Sequence, residues 1–321
     1  MPIRTPVCDM FGIEKPIFLA GMGGVAYAQI CAAVSQAGGY GTLGMAAATP
    51  EEIRTEMRAV RALTKKPFGV DLLAAQPETI DRAIDIIIEE GASSFIAGLG
   101  VPHAVIEKCH KGGLKVVVMC GKVAHAQKAE QAGCDMVVAQ GTEAGGHTGQ
   151  VAGMAVIPQI ASAVKIPVLA AGAIVDGRTM AAALALGAQG VWVGTRFIAA
   201  TEARAGRVYQ EQIMQHGGAD TLVTKCFSGK TMRVIRNTYV DDWEKRKDEL
   251  QPFPKQMVTS LKAGVMGVTQ GPGQLVDPDR ACLPAGQGIG AIHDVRPAAQ
   301  IIDSMMRECE ETFRSLNRLV G

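Results

Sequence analysis

The densest chemistry-bearing stretch of the chain is Ala139–Gly149, AQGTEAGGHTG. It holds His147, one of only six histidines, between glycines. A neutral imidazole in such a place can accept a proton from a carbon acid or return one to a developing carbanion. The spacing is equally compatible with a hydrogen-bonded histidine that only supports its loop. Glu143, four residues earlier, reads as an acceptor for backbone N–H groups rather than as an acid or base. Four further glycine-bearing stretches share the pattern of a short apolar run followed by small residues: Gly21-Met22-Gly23-Gly24, Gly98 with Gly100, Gly172-Ala173 and Gly194-Thr195. Glycine lets the backbone approach a ligand closely. The clusters at 21–24 and 141–149, which include Gly145 and Gly146, exceed what ordinary turns require. They suit a large, flat, phosphorylated ligand. Gly172-Ala173 and Gly194-Thr195 each precede a helical pattern, where backbone N–H groups can face an anion.

These stretches are positioned by a regular series of elements. Short apolar runs occur at Pro16–Ala20, Tyr40–Leu43, Phe68–Leu72, Ser94–Ala97, Lys115–Met119, Met136–Ala139, Pro167–Ala170 and Gly190–Val193. Helical periodicity fills the gaps at 26–37, 50–64 (with Thr49 as cap), 77–90, 102–112, 122–132, 155–164 and 177–187. Nearly all-apolar strands separated by helices indicate a parallel sheet covered on both faces. Eight such repeats predict a TIM (β/α)8 barrel, with an open doubly wound sheet as the alternative. In a barrel the glycine stretches all fall at the C-terminal ends of the strands, where active sites of this fold lie, and those after strands 7 and 8 occupy its common phosphate site. After Arg196 the repeat stops. Residues 203–295 read as a mostly helical and loop insertion on the substrate side, with a glycine- and proline-rich loop at 264–290. A final helix from about 296 to 321 returns to the barrel unit of residues 1–200.

Bulk composition excludes several other classes. The chain has 321 residues, 38 of them Gly, with 48% hydrophobic residues and a formal charge of +1. That is neither the low hydrophobicity and high net charge of a disordered chain nor the basic excess of a non-specific nucleic-acid binder. Eight cysteines occur without a Cys-x-x-Cys pair. They read as reduced thiols of a cytoplasmic protein, not as a zinc site or disulfide framework. No histidine and carboxylate set shows metal-ligand spacing, so no metal is expected. The longest apolar stretch, 151–175, is broken by Pro158, Lys165 and Pro167, so no membrane association is expected.

With these residues in place the chain resembles the nitronate monooxygenase (2-nitropropane dioxygenase-like) family, which includes the flavin-dependent enoyl-acyl-carrier-protein reductases. The resemblance runs from Gly12–Ile17 and Gly21-Met22 through Ala37–Gly39, Lys66–Val70, the Gly141–Gly149 loop, Ala170–Gly172 and Gly194–Phe197 to Ala285–Gln287. The most specific part is Glu-Ala-Gly-Gly-His after Ala-Gln-Gly. It implies a TIM barrel that binds FMN without a covalent link. By motif, Gly21 and Met22 lie along the ring system, Gln140 and Gly145 contact the flavin or its ribityl chain, and Gly172, Gly194 and Thr195 hold the phosphate. His147 matches the family's catalytic histidine, and Lys122, just after strand 5, reaches toward the flavin. Gly23, Gly146 and Ala173 complete the set of cofactor contacts. One position departs from the pattern: the family usually has Asn where this chain has Asp71. A carboxylate there disfavours an anionic reduced flavin unless a nearby donor satisfies it.

The resemblance implies an oxidoreductase acting on a small molecule, and its wording at 137–147 leans to oxidation of alkyl nitronates with O₂. The compact layout between strands 3 and 5 resembles the alternative branch, in which NAD(P)H supplies reducing equivalents for an enoyl thioester or a quinone. A basic cluster, Lys225, Lys230, Arg233 and Arg236, could grip the phosphates of a coenzyme A or carrier-protein substrate, or be a solvated face. A non-enzymatic FMN-binding scaffold or sensor, and a homodimer, are both compatible with the sequence.

Overall fold

The computed structural model describes residues 3–46, 48–73, 77–98, 100–267 and 276–319. Part of the expected glycine-rich loop, 268–275, lies outside them. Along the chain run α1 (Pro6–Phe11), β1 (Ile17–Leu19), α2 (Ala28–Gln36), β2 (Gly41–Gly44), α3 (Pro50–Leu63), β3 (Phe68–Leu73), α4 (Pro77–Glu89) and β4 (Ser94–Gly98). Next come α5 (Ile106–Lys111), β5 (Lys115–Cys120), α6 (Val123–Gln131), β6 (Met136–Gln140), β7 (Gly146–His147), α7 (Gly153–Ala163), β8 (Val168–Ala171), α8 (Gly177–Ala185), β9 (Gly190–Val193) and α9 (Thr195–Ile198). The remainder is α10 (Arg207–Gln215), β10 (Thr221–Thr224), β11 (Met232–Ile235), α11 (Thr238–Glu244), α12 (Lys255–Lys262) and α13 (Ala298–Asn317).

Eight strands pair in parallel in the order β1-β9-β8-β6-β5-β4-β3-β2. The two ends meet through a parallel bridge between Phe18 and Tyr40, in which Leu19 N–H donates to Tyr40 O and Tyr40 N–H to Ile17 O, each at 2.9 Å. The sheet therefore closes into a TIM barrel with helices outside, as the strand and helix periodicities predict. Capping follows local chemistry. Thr49 Oγ1 accepts the Glu52 amide at 3.3 Å while Glu52 Oε2 accepts the Thr49 amide at 2.7 Å, and Pro50 opens α3. Helix α3 then turns Ile53, Met57 and Val60 inward.

The core has two layers. Between barrel and helices lie branched aliphatics such as Val70, Val116, Val156 and Ile160. Inside the barrel lie Phe18, Tyr40, Ile96, Val117, Met136, Val138, Leu169 and Trp192. The short helix α1 plugs the end opposite the strands' C-termini with Val7, Cys8 and Phe11. Phe11 meets the Phe18 ring edge-on at 5.2 Å and the Tyr40 ring at 4.9 Å. Six residues are too few for periodicity to reveal this plug. Helix α13 packs back on α8, so closely that a side chain at Gly177 would overlap the backbone of Cys309.

The stretch after α9 carries, besides its helices, a two-stranded antiparallel ribbon of β10 and β11. Strand β11 also pairs with β7, matching Met232 to His147 and Arg233 to Gly146. This stretch has a small core of its own, including Phe227, Val234, Tyr239, Val240 and Trp243.

The barrel closure has a testable polar component. Tyr40 is buried, and its hydroxyl lies 2.7 Å from Ser93 Oγ and 2.6 Å from Ser94 Oγ. Tyr40→Phe strands a buried serine hydroxyl and should lower unfolding stability by about 1–3 kcal/mol in urea titration; no loss would mean that those hydroxyls find other partners.

Candidate functional site

The C-terminal ends of the barrel strands open into one cavity of about 1650 Å³. Ligand pockets usually fall at about 300–1,000 Å³, so there is room for more than one ligand of cofactor size. Every site residue expected from sequence borders it: Gly21, Met22, Gly23, Asp71, Lys122, Gln140, Gly145, Gly146, His147, Gly172, Ala173, Gly194 and Thr195. They come from all sides of the barrel, which closure of the sheet alone could bring together. Trp192 and Ala171, at the top of the barrel interior, form part of the floor.

The glycines at this face are tight for defined reasons. A side chain at Gly21 would overlap Asp71, and one at Gly145 would sit 2.7 Å from the backbone of Ala285 and Gly286. Ala173 holds φ at +52°, the only non-glycine residue with positive φ among the described residues. Such a conformation costs of order 1–3 kcal/mol and persists where the surroundings impose it. Next to Gly172 at φ +111°, it turns successive amides toward the cavity. Among the described residues the amides of Ala173, Ile174 and Gly194 have no protein acceptor, and all three residues border the cavity. Adjacent free amides in such a turn make an anion-binding concavity. Helix N-termini contribute less than the sequence suggests. The start of α8 is already satisfied, by Asp176 Oδ1 accepting the Thr179 amide at 2.8 Å and Glu308 Oε2 accepting the Gly177 amide at 3.0 Å, and α9 is a single turn.

His147 does not sit on a free loop. It lies in β7 against β11. Thr148 N–H donates to Thr231 O at 3.3 Å, and Thr231 Oγ1 donates to Thr148 O at 3.0 Å. Arg233, buried, donates through Nε to Thr142 O at 2.9 Å and through Nη1 to Thr221 Oγ1 at 3.0 Å. Glu143 accepts the Gly153 amide on both oxygens at 2.9 Å and so caps α7. The sequence did not single out Ser228, whose buried Oγ lies 2.9 Å from His147 Nε2. Eighty-one positions separate the pair, so no local spacing could reveal it. Ser228 Oγ also accepts the Lys230 amide at 3.3 Å, and its alternative acceptor, Lys230 O, is at 3.3 Å. His147 Nε2 and Ser228 Oγ share one proton, and which of them donates follows the ring tautomer. Burial, and then the positive charge of Lys230, push the His147 imidazole down to about 4. The ring is therefore neutral at pH 7.

Asp71 is also buried, on β3, and desolvation alone raises its carboxyl well above the ordinary carboxylate range. The rim is different. Lys122, Lys128, Arg204, Lys225 and Lys230 border the cavity, and none of them forms an ion pair among the described residues. Arg204 lies over the Tyr27 ring at 4.2 Å and Lys230 over the Phe253 ring at 4.7 Å. The bordering carboxylates Glu52 and Glu56 are committed to the amides of Thr49 and Ala28. The expected basic cluster thus divides: Lys225 and Lys230 reach the rim, Arg233 is an internal tie, and Arg236 pairs with Asp241 at 2.7 Å. The described residues hold no cluster of three or more potential metal ligands, and none of their helices is long and apolar enough to cross a membrane.

The depressed His147 pKa has a definite sign. Unfolding returns the ring to about 6.5, so the unfolded chain binds more protons between 6.5 and about 4. The histidine's contribution to stability is present above 6.5 and is lost as pH falls toward 4. Its NMR titration midpoint should lie near 4, and Lys230→Met should raise it; a wild-type midpoint near 6.5 would contradict this environment.

Comparison with known proteins adds to this geometry. Residues 4–308 match the family model described as nitronate monooxygenase. The chain is 37% identical over 247 residues to (3aS,4S,5R,7aS)-5-hydroxy-7a-methyl-1-oxo-octahydro-1H-indene-4-carboxyl-CoA dehydrogenase of Mycobacterium tuberculosis, covering 76% of this chain and 69% of that protein. It is 32% identical over 302 residues to a probable nitronate monooxygenase of Staphylococcus saprophyticus, covering 80% and 85%. Among solved structures it is similar to FabK from Thermotoga maritima, with a TM-score of 0.90, 34% identity and 99% coverage of both chains.

Proposed function

The chain belongs to the nitronate monooxygenase family of oxidoreductases, and from that premise we propose that it is an FMN-dependent enzyme that reduces a C=C bond conjugated to a thioester on a phosphate-bearing carrier, with NAD(P)H as reductant. The observation that carries this reading is the cavity itself: a floor of close-approach glycines and unpartnered amides beneath a rim of five unpaired cations. The floor fits FMN. The Gly172–Ile174 turn and Gly194, with Thr195 beside them, offer amides to a phosphate. Gly21, Met22, Gly23, Gln140, Gly145 and Gly146 leave space for a planar ring, beside Asp71. When bound, FMN supplies hydride transfer at that ring.

The protein's own residues set access and proton placement. Lys122, Lys225 and Lys230 attract the carrier's phosphates at the mouth, with Lys128 and Arg204 extending the positive field. In the tautomer with its proton on Nδ1, His147, neutral and held by Ser228, offers that N–H to the thioester carbonyl, since a neutral imidazole polarises a carbonyl without carrying charge. The similarity to a carboxyl-CoA dehydrogenase supports this substrate class. Oxidation of alkyl nitronates with O₂ is the second reading. The family model and the probable nitronate monooxygenases support it, and with its own proton on Nε2 a neutral His147 can take the α-proton of a nitroalkane at Nδ1. Eight free, buried cysteines support a reducing, cytoplasmic setting.

The two readings separate under anaerobic conditions. Protein loaded with FMN should bleach with NADH or NADPH and recover its colour on addition of crotonyl-CoA. Bleaching by propionate-3-nitronate alone, without response to NAD(P)H, would establish the nitronate reading instead. Replacing Lys122, Lys225 and Lys230 by Glu should raise KM about tenfold or more for crotonyl-CoA, and leave that for crotonyl-pantetheine unchanged. His147→Ala should retain FMN and lose about 10²–10⁴ in kcat.

A further inference from the structure

Asp71 occupies a place that its charge does not suit. Its side chain is nine-tenths buried at the C-terminal end of β3 and borders the cavity. One carboxylate oxygen lies against Gly21, where any side chain would collide with it, and the other lies 3.6 Å from the position of a Cβ on Gly98. Gly21 thus makes room for this side chain, while Gly98 stands at ordinary contact distance on its other side. Beyond the ladder pairing of β3 with β2 and β4, the backbone of this residue accepts the Met45 amide on Asp71 O at 2.9 Å. Among the described residues the carboxyl has neither a hydrogen-bond donor nor a counter-ion.

Among the described residues no packed element supplies a counter-ion. Strands β1, β2 and β4 contain no titratable side chain. The other titratable and charged groups of the cavity are Glu52 and Glu56 on α3, Lys122, His125 and Lys128 at α6, His147, Arg204, Tyr27, Tyr209, Lys225, Lys230 and Cys282. None of them shifts the Asp71 carboxyl, whose displacement comes from burial alone. A buried carboxylate without a cation or donor is costly, and such a group takes up a proton instead. A protonated carboxyl carries one O–H donor, much as an Asn carries an N–H donor. A donor left unpaired at the floor of a cavity is completed by what binds there.

We propose that Asp71 works as a neutral carboxylic acid that donates its hydrogen bond to an acceptor on bound FMN, so that this chain holds its cofactor with a donor that can be switched off by ionisation. This rests on the FMN reading above. It makes Asp71 a cofactor-binding residue of defined protonation and assigns Gly21 the task of accommodating it.

The test measures FMN dissociation constants by flavin fluorescence from about pH 6 to about pH 9, a window in which buried carboxyls ionise, for the wild type, Asp71→Asn and Asp71→Leu. Asn keeps a donor at every pH. Because the FMN phosphate titrates identically in both proteins, the ratio of wild-type to Asp71→Asn dissociation constants isolates Asp71. That ratio should be near one at the acidic end and rise about tenfold or more at the alkaline end. Asp71→Leu should bind weakly throughout. Difference infrared spectra of the wild-type holoprotein should show a protonated-carboxyl C=O band at neutral pH that Asp71→Asn lacks. A ratio that stays flat, with Asp71→Leu binding like the wild type, would overturn the assignment while leaving the FMN reading intact. Contact with substrate instead would show as a flat FMN ratio with a pH-dependent KM confined to the wild type. If neither the wild type nor Asp71→Asn takes up FMN at any pH, both readings fall.

Discussion

The catalytic face depends on one short stretch of antiparallel pairing. Met232 with His147 and Arg233 with Gly146 are only two residue pairs, yet they join the loop after β6 to a segment more than eighty positions later. Pairing of that length is marginal by itself. Side chains reinforce it: Thr231 bonds to Thr148, and the buried Arg233 reaches back to Thr142 and across to Thr221. Without this seam His147 would be a ring on a glycine-rich loop, free to turn. With it, the ring is held against Ser228 and the insertion becomes a wall of the cavity.

Burial gives the same cavity its electrostatic character. Desolvation disfavours charge on two of its titratable groups, His147 and Asp71, and Lys230 pushes the histidine further in the same direction. The cations sit at the mouth, where solvent supports them. On the proposed reading, a hydrogen-bonding floor beneath a positive rim separates two tasks: orienting a planar, reactive ring and collecting an anionic carrier. Charge on the floor would be poorly solvated, and neutrality at the rim would give no long-range attraction.

Much of the architecture was legible in the sequence because it is encoded locally. Apolar runs of four or five residues separated by amphipathic helices define strand and crossover wherever the chain is read, and Thr49, Pro50 and Glu52 mark the start of α3 within four positions. The glycine clusters were legible for the same reason. Elements without local periodicity were not. Helix α1 is six residues long, and β10 and β11 are four each, inside a stretch dominated by helices and loops. The basic cluster read from sequence divided once folded, since Arg233 and Arg236 found internal partners and Lys128 and Arg204 joined the rim from elsewhere. The helix starts after β8 and β9, which sequence offers as anion sites, proved to be capped by Asp176 and Glu308 in one case and a single turn in the other.

By itself the sequence determined which residues could do chemistry, and that a barrel would carry them at one end: strand and helix period, loop glycines and the stretch around His147 are properties of neighbours in the chain. Only the tertiary structure decided the states in which those residues work. Ser228 reaches His147 across 81 positions. Asp71 is pushed toward its neutral form because distant segments bury it, and among the described residues none brings it a cation. Protonation and orientation follow from solvent exclusion and from partners brought together by folding, and neither is a function of sequence separation.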